Sequence, residues 1–182
     1  MGAKGTRQIS WASMLLLVGC AQPHWVSDYD PVIDQGITDF GERLNVHVMD
    51  MIELAGTPQG SYAASFRAYN KLDARLDSLI ARASATAPTI DCTAQDQLLE
   101  RLRGATPQLS QRMRPDILCH ARLLFIVKEQ LGLLRALHRD GETCGPAHLS
   151  CLTPAATGNA LAAANRTLRA VMVVELSKRK RP

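Results

Sequence analysis

The chain has 182 residues, of which 46% are hydrophobic, 21% charged and 4% aromatic, with a formal net charge of +4. That is room for one domain, and an apolar share of this size with 12 Gly and 9 Pro excludes wholesale disorder and any collagen-like or low-complexity chain. So few aromatics argue against a β-sandwich or barrel, and so small a net charge gives no reason to expect a nucleic-acid partner.

Residues 1–10 carry Lys4 and Arg7 and no acid, and a short apolar run follows from Trp11 to Val18. A basic start, a short apolar stretch and small residues before a cut are the marks of a secretory signal. The run falls well below the ~20 residues that a membrane-spanning helix needs. Leu17-Val18-Gly19-Cys20 resembles a bacterial lipobox. That resemblance implies cleavage before Cys20, a diacylglycerol on its thiol and an acylated new amine. The chain then divides into a signal peptide over 1–19, a lipidated tether over 20–30 and a body over 31–182. Each buried methylene contributes ~0.8 kcal/mol, so two or three acyl chains hold firmly without a spanning helix. Ala21 stands where Asp tends to retain Gram-negative lipoproteins at the inner membrane, which points to the outer membrane, facing the periplasm. Loss of residues 1–19 removes two cations and leaves 19 basic against 17 acidic residues, too even to imply a strong electrostatic partner.

Residues 21–30 contain Pro23 and show no helical period. Trp25 and Tyr29 could rest at a membrane interface or pack on the end of the body. Asp30-Pro31 is a helix start, with a capping side chain followed by proline at the first helical position. The apolar residues Ile33, Ile37, Phe40, Leu44, Val48, Met51 and Ala55 then form one stripe, and Gly56 is a stop. A second helix begins near Thr57-Pro58 or Ser61. Its stripe is Tyr62, Phe66, Tyr69, Leu72, Leu76, Leu79 or Ile80, and Ala83, and it stops before Pro88. Thr93 caps a short third helix through Leu102, ended by Gly104. Pro115 opens a fourth with a broad apolar face: Ile117, Leu118, Leu123, Leu124, Ile126, Val127, Leu131, Leu133, Leu134 and Leu137. After a Gly- and Cys-containing loop, Thr153-Pro154 starts the last helix. It carries Leu161, Ala164, Leu168, Val171, Met172 and Leu176 and runs into Lys178-Arg179-Lys180-Arg181. No window alternates with a strand period. The expectation is an all-α fold, an antiparallel helical bundle of four long helices plus one short helix.

With Cys20 assigned to lipid, Cys92, Cys119, Cys144 and Cys151 remain, an even set suited to an oxidising compartment. Three pairings are possible. Cys144 with Cys151, which share one loop, is favoured and leaves Cys92 with Cys119. On a chain-entropy model the small loop contributes ~2.5 kcal/mol and the larger ~3.6 kcal/mol. The competing use of the same groups is zinc, held by Cys144, His148 and Cys151 with Cys119 and His120.

Other chemistry is sparse. His47, Met49 and Met51 offer a soft metal site, set against Met51 serving as core filler. His120 and His138 read as helix-edge or surface groups, and His138 near a helix C-terminus has a sufficient dipole explanation. There is no nucleophile elbow, phosphate loop or thiol redox pair. The sites expected are lipidation at Cys20 and disulfides among the other four cysteines, with no catalytic residue and no cofactor. The Lys178–Arg181 run either completes a helix end or touches anionic headgroups.

Tyr29-Asp30-Pro31-Val32-Ile33-Asp34-Gln35-Gly36-Ile37-Thr38 resembles the mature start of a family of small proteobacterial helical lipoproteins, of the type Tyr-Asp-Pro-x-x-Asp-x-Gly. Leu79-Ile80-Ala81-Arg82-Ala83 resembles the end of their second helix, and Leu168 through Lys180, with its Glu175-Leu176-Ser177-Lys178, resembles their ending. The resemblance implies a helical, envelope-located protein and carries no activity with it. The expected role is a structural or protein-interaction module that is bound to the membrane through Cys20 and meets an envelope protein partner. The alternatives are a metal- or small-ligand-binding bundle and a periplasmic catalyst.

Overall fold

The computed structural model describes residues 29–85 and 119–179. Cys20 and most of the tether, Cys92, the expected short helix from Thr93 to Leu102, and Lys180-Arg181 lie outside the described residues, as do the side chains of Cys119 and His120.

Four long helices make the body, so the fold is an all-α bundle. α1 (Pro31–Glu53) begins where Asp30 stays extended at φ −111° and ψ 103°, and its carboxylate accepts from the Val32 N–H at 2.9 Å. α2 (Tyr62–Ala85) starts behind Ser61, whose Oγ accepts from the Ala64 N–H at 3.4 Å. α3 covers Cys119–Asp140. α4 (Pro154–Arg179) follows Thr153, whose Oγ1 accepts from the Ala156 N–H at 3.3 Å. Each of these three N-caps satisfies an N–H that has no partner within its helix.

Contacts between helices run in opposite directions along neighbours. His47, Asp39 and Asp30 of the α1 side meet Tyr69, Arg75 and Arg82 of α2 in turn. Thr38 and Asn45 of α1 meet Met172 and Asn165 of α4. Asp77 and Tyr69 of α2 meet Lys128 and His138 of α3. α1 packs on α2 and α4, and α3 packs on the other sides of both. The result is an up-down-up-down ring.

The interior is one apolar cluster fed by all four helices, with Ile37, Phe40, Leu44, Leu76, Leu124, Val127, Leu134 and Ala164 at 0% exposure. Of the expected stripe positions on α2 and α3, Phe66 turns outward at 38% and Leu133 at 53% exposure. The α2 stripe passes through Ser65 in place of Phe66 and then through Tyr69 as expected, because that face meets a polar group on α3 and not a purely aliphatic one. Leu176, expected inside, is 43% exposed, and Glu175 takes the buried position.

Polar pairs in the helix seams set the register. Asn45 and Asn165 exchange amide hydrogen bonds at 2.9 Å across α1 and α4. Gln130 donates to Thr167 Oγ1 at 3.0 Å across α3 and α4. A slip along either seam would strand these groups, so each costs some stability and narrows the choice of packing.

The α3–α4 connection contains a small ladder that the sequence pattern does not announce. β1 (Thr143–Cys144) pairs antiparallel with β2 (Leu149–Ser150), Thr143 opposite Ser150 and Cys144 opposite Leu149. The hairpin lies against the α1–α2 loop at two glycines in left-handed conformation, Gly56 at φ +83° and Gly145 at φ +72°. A Cβ on Gly145 would sit 2.6 Å from the Gly56 carbonyl oxygen, so the two loops touch backbone to backbone.

Gly132 presents the opposite situation. It lies within α3, is exposed, and a Cβ there would meet nothing within 4 Å. Gly132→Ala should therefore raise the unfolding free energy by about 1 kcal/mol through backbone entropy alone, measured by urea titration.

Candidate functional site

Two polar clusters stand out, one at each end of the bundle. The first lies under the contact of the two loops. His138 is 0% exposed, and its Nε2–H donates to the Gly60 carbonyl at 3.0 Å. That bond sets the tautomer: Nδ1 is the acceptor and takes the Tyr69 hydroxyl at 3.2 Å, with Ser65 Oγ at 3.4 Å. Tyr62 closes the cluster at its edge. Its hydroxyl accepts from Arg135 Nε at 2.8 Å, and its N–H donates to Ser150 Oγ of the hairpin at 3.3 Å. His47 of α1 stands edge-on to Tyr69 with ring centroids 4.7 Å apart, and its buried Nε2 has no hydrogen-bond partner.

Burial dominates the electrostatics here. It pushes the His138 imidazole below its ordinary range, against the pull of the Gly60 carbonyl. His47 moves the same way, first through burial and then through the neighbouring His138. Burial raises the Tyr69 phenol. All three groups are held neutral. A serine beside a histidine invites comparison with a nucleophile and its base, but Ser65 is 6% exposed and both ring nitrogens of His138 are engaged. The cluster's chemistry is to tie the α1–α2 loop and the hairpin to α2 and α3.

The second cluster lies where the chain enters α1. The Tyr29 hydroxyl donates to Asp34 at 2.8 Å, and the Arg179 guanidinium lies 5.8 Å from the Tyr29 ring centroid. Asp30 is almost wholly covered, and it accepts from Arg82 Nε at 2.6 Å as well as from Val32. Burial pushes its carboxyl up, but the Arg82 hydrogen bond, the Val32 N–H and the Arg82 charge together leave it below the usual carboxylate range. Glu175 of α4 is 4% exposed; Lys178 is paired with one of its oxygens, while Oε2 has no partner. Burial raises the Glu175 carboxyl, with Lys178 pulling the other way. Tyr29-Asp30 is thus fastened to the start of α1, the end of α2 and the end of α4.

Several sequence candidates are placed differently from expectation. His138, read as a helix-edge group, is a fully buried core residue, because the chain after α1 folds over the end of α3 and places the Gly60 carbonyl above the ring. Met49 is 58% exposed while Met51 is in the core, so His47, Met49 and Met51 do not share a face. Cys144 and Cys151 form a disulfide with Cα atoms 5.9 Å apart, so their sulfurs do not serve as thiolate ligands alongside His148. Among the described residues, no group of three or more His, Cys, Asp or Glu side chains is placed to hold a metal ion. No described helix is long and apolar enough to cross a membrane. Lys178 differs from a solvated end-of-helix cation: its side chain is 5% exposed against Glu175. The spacing of Glu175 and Lys178, three apart with apolar neighbours, was the available signal for that pair. For the His138–Gly60 bond no local signal existed.

No family model matches the chain, and comparison with curated proteins and with solved structures finds no match.

Proposed function

We propose that this chain is a bacterial envelope lipoprotein, moored by acyl chains on Cys20 at the periplasmic face of the outer membrane, whose bundle works as a non-catalytic structural or protein-interaction module. The observation that carries the reading is the way the chain enters the bundle. Tyr29 and Asp30, nine and ten residues after Cys20, are fastened to three helices by Asp34, Arg82 and Arg179. A tether ending in so many contacts passes the position of its anchor to the body, which suits a module presented from a membrane. The Cys144–Cys151 pair at the opposite end accords with an oxidising compartment.

The anchoring half of the reading has a direct test. Labelled palmitate should enter the wild-type protein and be absent from Cys20→Ser, and the intact mass should match a chain that begins at Cys20 and carries acyl groups. Labelling that persists in Cys20→Ser overturns the anchor. The interaction half is tested by crosslinking in the native envelope, where failure to recover any stable protein partner counts against it.

A further inference from the structure

α4 presents an unusual outward face. Arg166, Arg169, Val173, Leu176 and Arg179 follow one another at steps of three and four, so they share one side of the helix, and all five are exposed. Val173 is 60% and Leu176 43% exposed, which places two aliphatic side chains in water between arginines. The sole acid of α4 is Glu175, turned inward onto Lys178, so no α4 carboxylate lies on this face. Arg166 and Arg169 have no ion-pair partner among the described residues. A stripe with cations at its ends and aliphatic groups between them matches a phospholipid surface, where arginines meet phosphate and short apolar side chains enter the headgroup–acyl boundary.

Reach decides whether such a surface is available, and this step rests on the anchor proposed at Cys20. Tyr29 is nine positions after Cys20, a span of at most about 30 Å. Tyr29 lies under Arg179, and Arg166, the far end of the stripe, is thirteen residues away along the helix, about 20 Å. The whole stripe therefore falls within the tether's range. We infer that the outward face of the second half of α4 lies against an anionic phospholipid bilayer, so that the bundle rests along the membrane on Arg166, Arg169, Val173, Leu176 and Arg179.

The test uses the full acylated protein with Val173→Trp in a Trp25→Phe background, reconstituted into vesicles with brominated acyl chains. The vesicles contain zwitterionic phospholipid alone or with anionic phospholipid added. Flotation and intact mass report the anchor; quenching of the new indole reports the face. The expected result is flotation in both lipids but strong quenching only with anionic lipid, relieved by molar salt. Replacing Arg166, Arg169 and Arg179 with Gln should weaken the engagement by about fivefold per cation, while flotation is unchanged. Vesicles that float with an unquenched indole overturn the docking face and leave the anchor intact. Quenching that is indifferent to lipid charge, salt and the three arginines also overturns it. A protein without acyl groups that fails to float overturns both readings.

Discussion

His138→Leu should lower the unfolding free energy by about 2–4 kcal/mol, read from urea denaturation near neutral pH. Leucine fills a similar volume, so the loss does not come from an empty space. It comes from two buried groups that lose their partner, the Gly60 carbonyl and the Tyr69 hydroxyl. Tyr69 is 0% exposed and Gly60 is buried, and an unsatisfied buried polar group costs about 1–3 kcal/mol. The same residue gives the protein a pH dependence whose sign follows from burial. The His138 and His47 imidazoles are both held below the ordinary value of 6.5 in the folded state. Above that value neither state binds the protons and stability is at its full level. Below it the unfolded chain takes up protons that the folded chain refuses, so stability falls with pH until the depressed folded values are reached. Two such groups give a slope of up to about 2.7 kcal/mol per pH unit, and His138→Leu should leave about half of it. Equal slopes in wild type and variant would show that His138 is not held neutral by this cluster.

Lys178→Met should cost about 3 kcal/mol at neutral pH, because it leaves the nearly covered carboxylate of Glu175 without its cation. The deficit relative to wild type should shrink on acidification. The Glu175 carboxyl is already raised above its ordinary 4.5 by burial, and losing Lys178 raises it further. A group whose folded value is raised binds its proton more readily in the folded state, so lowering the pH towards 4.5 restores stability to the variant. Changing Glu175 to Leu in the same chain should recover most of the loss, since an apolar pair of similar volume replaces a buried ion pair at little net cost. Urea titrations of the single and double variants check this. A double variant no more stable than Lys178→Met would mean that the lysine acts through something other than Glu175.

Much of the bundle is legible along the chain. Asp30-Pro31 and Thr153-Pro154 are caps and N-terminal helix signals that act within a few residues, so they identify two helix starts without any knowledge of packing, while the start of α2 is open between Thr57-Pro58 and Ser61 until the fold chooses Ser61. The aliphatic stripes of α1 and α3 are long enough to assign a buried side on period alone. Positions at the margin of a stripe are different. Phe66 and Leu133 are apolar and correctly spaced, yet they face water, because which shoulder of a helix is covered depends on where its two neighbours lie. Ser65 is buried for the same reason: its side faces the His138 ring of α3.

The cysteines divide along the same line. Cys144 and Cys151, seven apart in one connection, could be paired from proximity alone, and the hairpin brings them together. The fate of His148, between them, depended on the fold: it takes φ 47° in a turn whose geometry the sulfur link and the two-rung ladder impose.

What the amino-acid order determined by itself was therefore local: the places of the long helices, the caps at Asp30 and Thr153, most of the apolar sides, and the lipobox-like run ending in Cys20. Such features arise from interactions within a turn or two of the backbone, or from a motif read in one dimension. Tertiary structure alone decided that Gly60 of one connection lies on His138 of another, that Glu175 is buried where the chain enters at Asp30, and that the side of α4 carrying Arg166, Arg169, Val173, Leu176 and Arg179 is left uncovered by its neighbours. Those outcomes depend on which elements become neighbours. Burial then converts an ordinary histidine or glutamate into a neutral or tightly paired group, and no window of sequence contains the other side of the contact.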